Sequence, residues 1–198
     1  MVVKELLWTI VIKMNCVKKI IIINLAVFGV CHIFNFWGLH LENLFALYPV
    51  NTGYFSFYQL VTHLFIHANP EHLFFNMLFF LIAGIEVEEY FGKKFLSFYL
   101  LSGIFSSGLY CLGSNGGIIG ASGAVFSVLT VFTILTIRNE NFKHSIHLKI
   151  KSFFYIFFIL IELYNAVSFP NDNIGHWSHI FGVIFGTIFY IHHKKSLS

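Results

Sequence analysis

Ser122 stands in the tetrapeptide Gly120-Ala121-Ser122-Gly123, and His179 lies far downstream in His179-Ile180-Phe181-Gly182. A serine hydroxyl is a weak nucleophile until a base within hydrogen-bond reach takes its proton, and an imidazole is the side chain best matched to that task near neutral pH. A serine and a histidine in contact, with water admitted, satisfy the nucleophile and base requirements of acyl transfer. Two more polar residues stand out in His72-Leu73-Phe74-Phe75-Asn76. Each has a plain structural reading as well: Ser122 as a small residue at a helix contact, His179 as a polar group bonded to another helix, His72 and Asn76 as helix caps. The decision rests on whether the chain brings all four to one place.

The solvent of this chain is a bilayer. It has 198 residues, 57% hydrophobic and 11% charged, with a mean hydropathy of +0.77, well outside the range of soluble globular domains. One domain over 1–198 is expected, built as an all-α polytopic bundle. The net charge of +3 is spread in pairs along the chain and forms no patch that could track a phosphate backbone, so nucleic acid is excluded as a partner. Cys16, Cys31 and Cys111 are odd in number and lack metal-type spacing, so they read as small core residues. The basic start, Lys4 to Lys19, resembles that of a signal peptide, but no small-residue cleavage site follows, and the segment is read as retained.

Six spans are expected. The first covers about 20–37, and a surface connection over 38–69 mixes aromatics with turn formers and carries Glu42. Pro70 opens the second span (about 70–90), and the third and fourth (about 95–112 and 119–137) are separated by a glycine-rich break at 113–117. The fifth (about 152–169) turns at Pro170-Asn171-Asp172-Asn173 into the sixth (about 174–193). All twelve basic residues then fall on one side, whereas the loops 38–69, 111–119 and 169–174 contain no Lys or Arg. The positive-inside rule makes both termini cytoplasmic.

That topology puts His72 with Asn76, Ser122 and His179 near the outer ends of spans two, four and six. Ser122 lies sixteen residues before Arg138 and His179 fifteen before Lys194. At 1.5 Å per residue both stand roughly 22–24 Å above the inner boundary of a core about 30 Å thick. Gly123 and Ser127 in span four, and Ser178, Gly182 and Gly186 in span six, recur every four residues and would let the two backbones approach closely.

Gly120-Ala121-Ser122-Gly123 resembles the GxSG nucleophile motif of rhomboid intramembrane serine proteases, and His72 to Asn76 resembles their HxxxN motif. His179-Ile180-Phe181-Gly182 followed by Gly186 is similar to the family's catalytic-histidine helix. The resemblance runs from about residue 20 to 193 and implies a bacterial-type six-helix core in a bacterial cytoplasmic membrane. It implies Ser122 as nucleophile, His179 as general base, and an oxyanion held by His72, Asn76 and the backbone N–H groups of Ser122 and Ala121. It implies a dyad: no acidic residue other than Glu162 is available near that depth to orient His179, and rhomboids are similar in lacking the third member of a catalytic triad. Its substrates would be single-span or polytopic membrane proteins, cut near the outer end of a transmembrane helix. Gly120 and Gly123 suit a helix start at a nucleophile, where a Cβ would crowd the backbone.

Two positions depart from the family pattern. Tyr58 and Gln59 stand where a Trp-Arg pair is usual, and Phe126 replaces the usual tyrosine four residues after the nucleophile, keeping the ring and losing the hydroxyl. His63 and His67 match a histidine-rich stretch of the family and are expected to hydrogen-bond the surface loop. Glu162 in the fifth span has two readings, facing an aqueous cavity or pairing with a polar group on a neighbouring helix. A metalloprotease is disfavoured: HExxH is absent, and His67, Glu71 and His72 have the wrong spacing beside Pro70. No metal, nucleotide or flavin motif is present, so no cofactor is expected. The competing non-enzymatic reading is a catalytically inactive rhomboid-like protein that binds membrane clients; it would lack the serine or the histidine, and both are here.

Overall fold

The computed structural model describes residues 15–139, 145–169 and 174–195. Lys4, Lys13, Lys143 and the turn Pro170 to Asn173 lie outside the described residues. Among the described residues there is no β-strand; six long helices carry the fold. They are α1 (Cys16–Phe36), α2 (Pro70–Phe91), α3 (Phe95–Gly113), α4 (Ser122–Arg138), α5 (Ile146–Ser168) and α6 (His176–Lys195).

Their ends follow from local chemistry. Asn15 caps α1 by accepting from the Lys18 N–H at 3.1 Å, and Asn69 caps α2 by accepting from the His72 N–H at 2.7 Å, with Pro70 in the first turn. Gly92, at φ +55°, ends α2, and a single 3-10 turn at Gly92–Lys94 leads directly into α3. Ser145 caps α5 through the Leu148 N–H at 3.4 Å. Helix α4 begins at Ser122, later than the expected 119, because the preceding residues are tied to distant segments and Gly120 turns the backbone at φ +112°. Ile118 exchanges two backbone hydrogen bonds with Leu47, at 3.0 and 2.8 Å, and Gly120 N–H donates to the His63 carbonyl at 2.9 Å.

Helix α4 is the axis of the bundle: every residue from Gly123 to Thr133 is buried, and it packs most extensively against α6, then α2 and α3. Small residues make the α4–α6 approach possible. A Cβ at Gly182 would run into the Gly123 carbonyl oxygen, and one at Gly186 would stand 2.6 Å from the Ser127 carbonyl oxygen. Ser127 Oγ donates to the Gly182 carbonyl at 2.6 Å, a direct bond between the helices. An aromatic cluster of Phe80, Phe91, Phe95, Phe98 and Tyr99 fills the space where α2 meets α3.

Contacts fix which ends lie together. Glu88, near the end of α2, accepts from the N–H groups of Cys16 at 2.6 Å and Val17 at 2.9 Å. Tyr90 stacks on Tyr190, Phe91 meets His193 edge-on, and the Arg138 guanidinium lies 5.5 Å over the Tyr190 ring. Lys151 lies 5.5 Å over the Phe132 ring. The starts of α1 and α5 and the ends of α2, α4 and α6 therefore share one end of the bundle with the described basic residues. The starts of α2, α4 and α6 share the other.

Large apolar side chains cover the outer faces. On α5, Phe153, Phe154, Phe157, Leu160 and Tyr164 are exposed, and on α1, Ile22, Leu25, Ile33 and Phe34. Continuous exposed apolar surface of this kind suits lipid rather than water. Two stretches are long and apolar enough to cross a membrane by length and composition, Cys16–Phe36 and Pro70–Gly113; Ser122–Arg138 is apolar but shorter. The connection after α1 is not a plain loop: it holds helical turns at Leu41–Phe45, Val50–Thr52, Gln59–Thr62 and His63–Phe65.

Candidate active site

Ser122 is the first residue of α4, and its N-cap, Ala121, supplies no side-chain cap. The N–H groups of the first turn thus have no partner within the helix. Gly120 reaches this start at φ +112°, a backbone region that disfavours side chains, and a Cβ there would stand 2.7 Å from the His72 ring. Across the interface, Gly182 and Gly186 bring α6 close enough for His179 Nε2 to lie 2.8 Å from Ser122 Oγ. Gly123 leaves room for Ser106 and Ser178, whose hydroxyls a Cβ would meet.

The His179 ring is held on its face and its edge. Phe126 stacks on it with centroids 4.6 Å apart and planes 7° from parallel, and Phe158 stacks on the far side of Phe126 at 5.5 Å. At the ring edge, Nδ1 lies 2.7 Å from Glu162 Oε2. The same oxygen lies 2.6 Å from Nδ1 of His176. All three residues are buried. Glu162 both lines the cavity and pairs with neighbours, so the two sequence readings hold together. The part of His176 escapes sequence reasoning; its one signal is its position three residues before His179, on the same helix face.

A cavity of about 450 Å³ opens onto these groups, lined among others by His72, Asn76, Ser122, Phe126, Glu162 and His179. Asn76 donates through Nδ2 to the His72 carbonyl at 2.8 Å, which ties the two polar residues together on α2. Ala121 is fully buried, and its carbonyl accepts from the Val125 N–H at 2.9 Å.

The connection between α1 and α2 braces the segment before Ser122. Gln59, 2% exposed, is its anchor: Nε2 donates to the carbonyls of Tyr54 at 3.0 Å and Leu44 at 3.3 Å, and Oε1 accepts from the Ser56 N–H at 3.0 Å. Tyr58 OH donates to the Leu44 carbonyl at 3.1 Å. His63 Nδ1 donates to the Gln59 carbonyl at 2.7 Å, while His67 packs edge-on against His72 with centroids 5.0 Å apart. Burial pushes the His63 imidazole down to about 4, against a weaker opposing pull from its bond to Gln59. Burial, then the neighbouring His72, pushes His67 down to about 3. Both are neutral at pH 7.

The Rhomboid domain model matches residues 54–194. The chain is 36% identical over 120 residues to the rhomboid-like protein 11, chloroplastic, of Arabidopsis thaliana, covering 59% of this chain and 40% of that protein. It is 38% identical over 86 residues to the rhomboid-like protease 3 of Toxoplasma gondii, covering 42% and 33%. It is 27% identical over 132 residues to the rhomboid protease GlpG of Haemophilus influenzae, covering 66% and 67%. The chain thus spans well under half the length of the first two. The matched region holds α2 to α6 and every residue that lines the cavity, and on that ground the chain belongs to the rhomboid family and is an integral membrane protein.

Proposed function

We propose that this protein is an intramembrane serine endopeptidase in which Ser122 attacks the scissile carbonyl and His179 takes its proton. The observation that carries the reading is the 2.8 Å approach of His179 Nε2 to Ser122 Oγ at a cavity within a largely apolar bundle. Attack passes the hydroxyl proton to Nε2 and forms a tetrahedral intermediate, whose oxyanion is held by the unspent N–H of Ser122, that of Ala121, and the side chains of His72 and Asn76. Collapse returns the proton from Nε2 to the leaving amine, and water releases the acyl enzyme by the same route in reverse.

The proposed setting is a six-span bundle with both termini in the cytoplasm, which the gathering of the described basic residues at one end supports. The cavity then opens on the outer side, and the substrate is a transmembrane helix unwound near its outer end, since an intact helix hides its backbone from attack. Named rhomboid proteases among the similar proteins support this class of chemistry.

The test is cleavage of a single-span reporter protein in liposomes by the wild type, Ser122→Ala and His179→Ala. Cleavage by the wild type and its loss in both variants is expected, with at least a 1,000-fold drop for Ser122→Ala by analogy with other hydroxyl nucleophiles. Undiminished cleavage by either variant removes the proposed pair, and reporter binding without cleavage by the wild type favours a client-binding protein.

A further inference from the structure

The Glu162 carboxylate holds one oxygen 2.7 Å from Nδ1 of His179 and 2.6 Å from Nδ1 of His176, with Glu162 itself 7% exposed. A carboxylate in an apolar bundle is costly unless it is bonded, so its retention there calls for a role. We propose that Glu162 is a positioning residue for His179, with His176 holding the carboxylate in place, so that the working unit is Ser122–His179–Glu162 rather than a dyad. This rests on the assignment of Ser122 and His179 above.

Tautomer chemistry is the core of the argument. An imidazole nitrogen bonded to a carboxylate must carry the proton, because both partners would otherwise be acceptors. With the proton on Nδ1, the lone pair of Nε2 faces Ser122 Oγ, as a general base requires. Phe126 fixes the plane of the ring, and Glu162 fixes its rotation within that plane. When His179 takes the serine proton, the imidazolium forms beside an anion instead of in bare hydrocarbon.

His176 completes the arrangement. It stands one turn before His179 on α6, so both rings face α5, and the shared oxygen links the two helices. The same three donor atoms lie within 4.8 Å of one another, close enough to suggest a metal site. The distances favour hydrogen bonds: ligands about 2.0 Å from a tetrahedral zinc lie about 3.3 Å from each other, whereas here the carboxylate oxygen is 2.6 and 2.7 Å from the two nitrogens.

The experiment compares Glu162→Gln and Glu162→Asp with the wild type in liposomes. It reads kcat and KM on the reporter, the rate at which a fluorophosphonate labels Ser122, and the Tm, with rates expressed per folded protein. Glu162→Gln removes the charge and keeps the shape; it is expected to lower kcat and the labelling rate about 100-fold with KM unchanged. Glu162→Asp, whose carboxylate is one methylene shorter, is expected to give between a tenth and a half of the wild-type kcat. A lowered Tm with kcat and labelling within twofold of the wild type would make Glu162 a structural crosslink only and overturn the proposal. Should Glu162→Gln not fold, Glu162→Asp decides: lower kcat at unchanged KM supports positioning, and full kcat overturns it. A chelator is expected to leave wild-type activity unchanged, and a fall would replace the hydrogen-bonded unit with a metal centre. If Ser122→Ala abolishes cleavage while Glu162→Gln is fully active, only this inference fails; if Ser122→Ala remains active, the assignment beneath it fails.

Discussion

At the scale of single residues, the proposed base His179 shows how much geometry such a role needs. Phe126 covers one face of its ring and is itself backed by Phe158, so the stack passes from α6 through α4 to α5. Phe126→Ala removes the face that sets the imidazole plane and is expected to lower kcat at least tenfold, with a stability loss of about 3–5 kcal/mol. Phe126→Tyr keeps the ring and is expected to stay within about threefold of the wild type; equal activity of the alanine variant, measured on the reporter, would show that the stack does not position the base. Ser122, His179, His72 and Asn76 could be singled out as candidates from the sequence because each sits in a short motif, Ser122 and His179 with small residues close by. The Glu162–His176 contact was not. It joins different helices, and only the relative rotation of α5 and α6 decides whether a carboxylate in one faces a histidine in the other.

At the scale of elements, the approach of α6 to α4 sets the distance between Ser122 and His179. Lipid gives little hydrophobic drive for two apolar helices to associate, so close packing and the Ser127–Gly182 hydrogen bond must supply it. Gly182→Val places side-chain atoms against the Gly123 carbonyl oxygen. It is expected to push α6 away, lower the Tm by several degrees and reduce fluorophosphonate labelling of Ser122 at least tenfold. Normal labelling in that variant would mean that the pair does not depend on this contact. The four-residue spacing of Gly182 and Gly186 revealed the interface from sequence alone. The start of α4 was less visible: Gly120 at φ +112° and the Leu47–Ile118 pairing delay the helix, and the second is a contact between distant segments that no local pattern announces.

At the scale of the whole molecule, the connection between α1 and α2 is a brace built on buried neutral groups. Its anchor is Gln59, and His63 carries on its carbonyl the hydrogen bond that steadies Gly120. Because His63 and His67 are pushed down to about 4 and about 3 when folded, the unfolded loop binds protons first as pH falls below about 6.5. Stability from these residues is therefore full above pH 6.5 and is lost progressively toward pH 4. Hydrogen exchange of residues 58–68 is expected to quicken over that window, and protection that stays constant from pH 7 to 4 would contradict the burial of neutral imidazoles. Composition alone revealed the bilayer as solvent. The spans were harder to read one by one: α4 is short, and α5 carries Lys149, Lys151 and Glu162. These are the costs of placing polar chemistry inside an apolar bundle.

The central claim is that His179 activates Ser122, and the most direct measurement is the site and rate of fluorophosphonate labelling in detergent-solubilised protein, read by mass spectrometry. The expected result is a single adduct on Ser122 in the wild type, none in Ser122→Ala, and a labelling rate at least 100-fold lower in folded His179→Ala. An adduct on another serine, or an unchanged rate without the imidazole, would contradict the account.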